Sequence, residues 1–247
     1  QYPPGSIYKM VQALIGLQEG VIKENTGITC NKSVVGCHNH PAPSNIEKAI
    51  QFSCNPYFVE AVKRIIQQGK SKSIFKDSEI GLANWKKHMI SFALGERLDI
   101  DFPSVKSGNI PSVGYYNKIY GEGRWAYSTI YSISIGQGEV QVVPIQMANL
   151  AAIIANRGYY LMPHFVKSVN SGDTIPEKYR QKYYTTVDQK YFEVVANAMQ
   201  QVVEADHGTA RKARIEGIEV CGKTGTAENP HGEDHSVFMA FAPKNNP

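Results

Sequence analysis

No apolar run in this chain approaches the roughly 18 to 20 residues of a membrane-spanning helix. The longest lies near residues 147–155. Charge of one sign is scarce too. The 26 Lys+Arg oppose 22 Asp+Glu for a net charge of +4, and the bases are scattered in pairs such as Lys63-Arg64 and Lys86-Lys87. That excludes the basic patch of a nucleic-acid binder. Four cysteines in 247 residues, Cys30, Cys37, Cys54 and Cys221, do not make a disulfide scaffold. There is no Walker loop, and no Gly-x-Ser-x-Gly elbow for any of the seven histidines to serve. Gly121-x-Gly123-x-x-Ala126 has the letters of a dinucleotide fingerprint but not its strand–turn–helix setting. A 42% hydrophobic content excludes a disordered chain. No repeat or linker divides the sequence. It opens at Gln1 without Met, so a fragment of a longer protein is expected.

What is present reads as mostly helical. Ile7, Met10, Val11, Leu14 and Ile15 keep the spacing of a buried helix, with Ser6 placed as its cap. Residues 24–43 lack periodicity and read as a loop. Ser44-Asn45-Ile46-Glu47 predicts a capping box before a short helix. Asn55 is placed to cap a further helix with Pro56 at its first position, and Gly69 to end it. Further helices are expected over residues 85–94, stopped by Gly95, and over 144–156 after Pro144. Another follows Asp188, with Phe192, Val195, Met199, Val202 and Val203 on one face. Residues 99–125 read as irregular, and residues 128–135 alternate polar and apolar. Residues 218–226 and 236–241 alternate like strands across a turn at Asn229-Pro230-His231-Gly232. The fold class expected is α+β, with an antiparallel hairpin late in a helical chain.

Three short motifs carry chemistry together. Ser6-Ile7-Tyr8-Lys9 sets a hydroxyl and an amine three residues apart on one helix face. Serine needs a base to become a nucleophile, and lysine is a base only if its pKa is lowered. Ser53-Cys54-Asn55 offers a hydroxyl for relaying a proton and an amide for holding a peptide group. Lys223-Thr224-Gly225-Thr226 sits on a predicted strand whose edge can pair with a substrate backbone. There Lys223 supplies positive charge, and Gly225 allows close approach. The Thr224 and Thr226 hydroxyls suit a carboxylate, and the N–H groups of Ser6 and Thr226 suit an oxyanion. Each motif alone is a common accident of caps, turns and hairpins. All three in one chain, in this order, are the set shared by penicillin-binding proteins and class A β-lactamases.

On these motifs and their flanks the chain resembles the transpeptidase domain of class B penicillin-binding proteins. The flanks are Pro3-Pro4-Gly5 before Ser6 and Pro56-Tyr57-Phe58 after Asn55. Ser134-Ile135-Gly136-Gln137-Gly138-Glu139 and Val143-Pro144-Ile145-Gln146-Met147-Ala148-Asn149 are more similar to elongation-type members than to division-type ones. The resemblance covers residues 1–247. It implies the penicillin-binding/serine β-lactamase-like fold, trimmed at both ends, without anchor, pedestal domain or part of the central sheet. It implies Ser6 as acylated nucleophile, Lys9 as base and Ser53 as proton shuttle aided by Lys223. Asn55 would hold the donor peptide, with Thr224, Gly225 and Thr226 at the substrate carboxylate. The substrate implied is a D-Ala-D-Ala stem peptide, with β-lactams as inhibitors. Also implied are a membrane glycosyltransferase partner for the parent protein and the periplasmic face of a bacterial inner membrane as its place.

Competing readings are a β-lactam sensor, an inert trimmed fragment and a D,D-carboxypeptidase. A class A β-lactamase lacks support, because no Glu-x-x-Leu-Asn segment is present. Nothing in the sequence calls for a cofactor, and no residue is assigned to a metal. Cys30 and Cys37 are close enough to pair, while Cys37, His38 and His40 offer a ligand cluster with no standard zinc spacing. Disulfide, metal site and free thiols all stay open. The resemblance adds that some elongation-type members hold a metal near Cys30, Cys37 and His40. Cys54 is expected to point into the core. His88, His164, His207, His231 and His235 are expected at the surface or in turns. Tyr115, Tyr116, Tyr127 and Tyr131 are expected in the groove or the core.

Overall fold

A computed structural model of the chain describes residues 1–168, 175–227 and 232–247. Asn229, Pro230 and His231 of the expected turn lie outside these residues. Eight α-helices and four short strands are described. The helices are α1 (Lys9–Gln18), α2 (Ile46–Gln51), α3 (Asn55–Ile66), α4 (Ile74–Ser91), α5 (Val113–Tyr120), α6 (Tyr127–Ile130), α7 (Pro144–Ala155) and α8 (Gln189–Glu204). Strands β1 (Tyr159–Leu161) and β2 (Lys182–Tyr184) form one antiparallel pair. Strands β3 (Cys221–Ala227) and β4 (His235–Phe241) form another. The α+β class with a late hairpin is what the sequence predicts; the small β1–β2 pair is an addition.

The first helix is the axis of the molecule. Every α1 residue up to Leu17 is buried, so no face is left for water and neighbours must cover it on all sides. Helices α2, α3, α4 and α8 do so. Buried Gln12 locks the arrangement, donating to Ile133 O at 3.1 Å and accepting from Trp85 Nε1 at 2.9 Å. The strongly amphipathic α3 and α8 turn Phe58, Val62 and Ile65, and Phe192, Val195 and Met199, inward.

Several boundaries differ from expectation. Asn45, not Ser44, caps α2, its side chain accepting from Lys48 N at 2.8 Å. Helix α4 begins at Ile74, capped by Ser73 well before residue 85. Its first turns bury polar Asp77, Ser78 and Glu79, which hid the apolar period. Asp77 accepts there from the N–H groups of Gly69 and Lys70 at 3.0 and 2.7 Å. The same helix ends at Ser91, where Ala93 turns left-handed at φ 58° before Gly95 is reached. Helix α5 lies within the stretch read as irregular, because it buries only Tyr116. Gly121 ends it, which disposes of the dinucleotide pattern. The alternating stretch over residues 128–135 lies in α6 and a 3-10 turn. The Tyr127 hydroxyl bonds there to Val59 O and, at 2.8 Å, to Ser134 Oγ. Tyr116 and Tyr127 are core, whereas Tyr115 and Tyr131 are exposed. His88 is buried, not superficial. It joins α4 to Glu19 at 3.0 Å and to Thr186 at 2.6 Å. Paired on both nitrogens, the ring can be enclosed.

Helices α3 and α4 cross so closely that a Cβ on Gly81 would lie 1.9 Å from Ile66 O. Alanine normally gains up to about 1 kcal/mol over glycine inside a helix. Here overpacking of about 3 kcal/mol outweighs that gain. Gly81→Ala is expected to lower the melting temperature by about 5 °C, at about 2–4 °C per kcal/mol for a chain of this size. Gly114→Ala, whose nearest neighbour is 3.9 Å away, is the control that should not fall. Calorimetry of the two variants checks this.

Candidate active site

The first motif lies on a 3-10 turn, Gly5–Tyr8, that runs directly into α1. Ser6 is therefore not a helix cap, as expected from the sequence, but the second residue of this turn. Side chains three apart eclipse one another on a 3-10 turn, so the spacing still stacks Ser6 and Lys9. Ser6 is half-buried. Its N–H belongs to the first turn and has no acceptor within the helix. Its hydroxyl makes no hydrogen bond among the described residues.

The second motif follows α2. Ser53 sits at φ 55°, in the left-handed region that glycine usually fills after a helix. Two bonds enforce this turn: Ser53 N to Ile50 O at 3.0 Å and Cys54 N to Ala49 O at 3.0 Å. Together they form the double backbone closure of a Schellman motif. Left-handed serine is strained by about 1 to 3 kcal/mol. The turn aims its carbonyl and hydroxyl at Lys9. Asn55 does not cap α3, as the sequence suggested; it is the helix's first residue, and Cys54 occupies the cap position. The Asn55 amide is used elsewhere, donating to Gly36 O at 2.8 Å and accepting from Lys9 at 2.5 Å.

Both lysines are fully buried. Lys9 Nζ donates to Ser53 O at 2.8 Å and to Ser53 Oγ at 3.2 Å. Lys223 Nζ reaches the same Oγ at 2.9 Å and Thr224 O at 2.9 Å. Burial brings the Lys9 pKa down to about 7, against a smaller opposing pull from the Cys37 and Cys54 sulfurs. Burial, and then the Lys9 charge, hold Lys223 well below the usual lysine range. With both lone pairs of Ser53 Oγ engaged, its own proton is left to donate elsewhere.

The third motif is on β3, whose alternation sends Lys223 and Gly225 inward and Thr224 and Thr226 to the other face. A Cβ on Gly225 would lie 3.0 Å from Pro4 O and from Ile7 Cγ1. The close approach it permits is thus that of the Gly5–Tyr8 turn itself. Gly5, at φ 56°, repeats the requirement, since its Cβ would meet Thr226 O at 2.3 Å. A third segment closes the site. Gly136 O accepts from Gly5 N at 3.0 Å, and Gln137 Nε2 donates to Thr226 O at 3.2 Å. Gln137 was visible in the sequence only through resemblance. Thr209, 3.0 Å from Thr224 Oγ1, carried no sequence signal at all.

Beside the second motif, Cys30, Cys37, His40 and Cys54 each offer one ligand atom, and all four atoms lie within 4.8 Å of one another. Cys37 Sγ and Cys30 Sγ are 3.1 and 3.7 Å from His40 Nε2. All four cysteines are unbridged. Cys54 is buried as expected, yet its thiol belongs to this cluster. His38 does not; it lies against Phe52 O at 3.0 Å. Three thiols and an imidazole fit a closed tetrahedral zinc site. His40 Nδ1 donates to Pro41 O at 2.7 Å, leaving Nε2 free to ligate.

The Ser53 hydroxyl joined to two buried lysines beneath a strand edge draws the three motifs into one site, and comparison with known proteins gives the family. The whole chain, residues 1–247, matches the penicillin binding protein transpeptidase domain. The chain belongs to that family. It is similar to a peptidoglycan D,D-transpeptidase MrdA of Acinetobacter baumannii, 26% identical over 277 residues, covering 100% of this chain and 38% of that one. It is 28% identical over 276 residues to the peptidoglycan D,D-transpeptidase PbpA of Mycolicibacterium smegmatis, covering 100% and 48%. Among solved structures, penicillin-binding protein 2 of Pseudomonas aeruginosa, in complex with WCK 5153, superposes with a TM-score of 0.79 at 27% identity, covering 100% and 54%. The Helicobacter pylori complex of penicillin-binding protein 2 with MreC gives 0.73 at 25%, covering 98% and 43%. The chain thus spans less than half the length of these curated relatives.

Elemental analysis of freshly purified protein is expected to find about one zinc per chain, and Cys37→Ser to lose it. Natively purified protein without metal would remove the zinc reading.

Proposed function

We propose that this chain is the catalytic part of a peptidoglycan D,D-transpeptidase. The observation that carries the reading is the convergence of Lys9 and Lys223 on Ser53 Oγ, which makes one site of three motifs. In the proposed reaction Ser6 Oγ attacks the carbonyl between the two terminal D-Ala residues of a stem peptide. Lys9, its pKa brought down to about 7 by burial so that a large share is unprotonated at neutral pH, takes the Ser6 proton. It exchanges one of its present hydrogen bonds for Ser6, since catalytic contacts commonly tighten only in the complex. The N–H groups of Ser6 and Thr226 receive the oxyanion. The C–N bond breaks, and Ser53, held in line by Lys223, gives its proton to the departing D-Ala amine as it takes one from Lys9, which returns Lys9 to its unprotonated form. Asn55 holds the donor peptide, and Thr224 and Thr226 hold its carboxylate beside Gly225. An acceptor amine then attacks the ester carbonyl, forms the cross-link and returns a proton to Ser6. β-Lactams acylate Ser6 as substrate mimics.

Cys30, Cys37, His40 and Cys54 would hold the zinc ion. Its chemistry would be structural, a four-ligand closure of the loop over residues 30–40 against the second motif. Asn55 N reaches Cys37 Sγ at 3.4 Å, so that closure would also steady Asn55. By analogy with its relatives, the parent protein would work at the periplasmic face of the inner membrane beside a glycosyltransferase. No described helix is long and apolar enough to cross a membrane.

Fluorescent penicillin should add one label per chain, and Ser6→Ala should remove it. Absence of label on folded protein rejects the acyl-transfer reading. A label that forms without transfer to any acceptor amine selects the sensor reading instead, and transfer only to water selects the carboxypeptidase. The pH profile gives a second test. A base must be unprotonated, so acylation should rise with pH through the Lys9 value of about 7. It should fall about tenfold per unit below that and level off above it. Ser53→Ala should lower acylation by about 100-fold, the low end for a lost proton relay.

A further inference from the structure

The geometry points to Thr209 as a positioning residue that aims the Thr224 hydroxyl at the substrate carboxylate, an inference that rests on the function proposed above. The two hydroxyl oxygens stand 3.0 Å apart, at one side of a cleft of about 640 Å³. Thr226, Ser236, Arg211 and Lys212 line the same cleft. Thr209 is held there by backbone alone. Gly208 N donates to Ala205 O at 2.9 Å and Ala210 N to Val202 O at 3.0 Å. These bonds fold the turn back on the end of α8. A Cβ on Gly208 would come within 2.3 Å of Val202 O, so only glycine lets the turn lie so close. Ala210 is buried beneath it. The backbone of exposed Thr209 is therefore fixed, with its hydroxyl set beside a strand of a different element.

One hydroxyl of such a pair donates and the other accepts. If Thr224 donated to Thr209, its lone pairs would face the cleft and repel a carboxylate, which only accepts. If Thr209 donates, the Thr224 proton turns into the cleft. An anion there selects the second order, and the hydroxyl chain it polarises is stronger than either bond alone. Arg211 and Lys212 on the same wall bias the cleft toward an anion. Arg211 Nη1 is steadied by Asp206 O at 3.1 Å. Thr209 touches no reacting atom in this scheme; it acts through Thr224.

The test compares acylation of the intact protein by benzylpenicillin and by its methyl ester, which lacks the carboxylate charge. Thr209→Val and Thr209→Ala should each lower the benzylpenicillin rate constant about tenfold, the scale of a hydrogen bond to a charged group. The ester rate should stay within about twofold, and Thr209→Ser should restore the acid-to-ester ratio. An equal loss for both probes would make Thr209 a structural brace only and overturn the proposal, as would unchanged rates for both. Failure of the underlying function has its own signature, a wild-type protein that benzylpenicillin does not label or labels equally well in Ser6→Ala.

Discussion

One oxygen atom, Ser53 Oγ, receives hydrogen bonds from two lysines that have no contact with water. Two ammonium groups cannot both stay charged at such a point. The interior screens them poorly, and among the described residues neither has a carboxylate as a hydrogen-bond partner. The cheapest release is loss of a proton, and burial thereby turns a surface cation into a base. The rest of the site exists to keep that arrangement dry and immobile. Helix α1 is enclosed on every side, so Lys9 cannot reach solvent. Strand β3 lies on the Gly5–Tyr8 turn, so Lys223 cannot either.

Backbone proximity holds these pieces together more than side-chain packing does. Gly5, Gly136 and Gly225 are each found where a Cβ would strike a neighbouring main chain. The Gly5–Tyr8 turn, the loop at residues 136–138 and the β3 strand thus meet main chain to main chain. Segments in such contact cannot slide without opening hydrogen bonds, which keeps the three motifs in fixed register. Ser53 follows the same logic at a cost. Its left-handed backbone is strained, and two backbone bonds and two lysines over-determine it.

The cysteine cluster continues the second motif outward. Cys54 lies between Ser53 and Asn55 of that motif, Cys37 reaches the Asn55 N–H, and Gly36 O takes the Asn55 amide. A long irregular segment, residues 24–43, is therefore tied to the working part of the site. That explains how so loop-like a stretch can stand beside buried lysines.

Local chemistry alone made the three motifs, the apolar faces of α1, α3 and α8 and the late hairpin legible, because spacing and period belong to neighbouring residues. The same reading failed wherever a distant group decided the outcome. Asn55 looks like a helix cap until Lys9 claims its amide. Residues 128–135 show only a polar–apolar alternation until the buried Tyr127 hydroxyl winds them into turns. His88 looks superficial until Glu19 and Thr186 enclose it, and Cys54 looks like mere core until Cys30, Cys37 and His40 surround it. The sequence by itself determined which chemical groups exist and which helices can bury a face. Only the tertiary structure decided which lysines are pushed toward the uncharged form, which hydroxyl joins them and which thiols converge. Those properties arise from exclusion of water and from contacts between residues dozens to hundreds of positions apart.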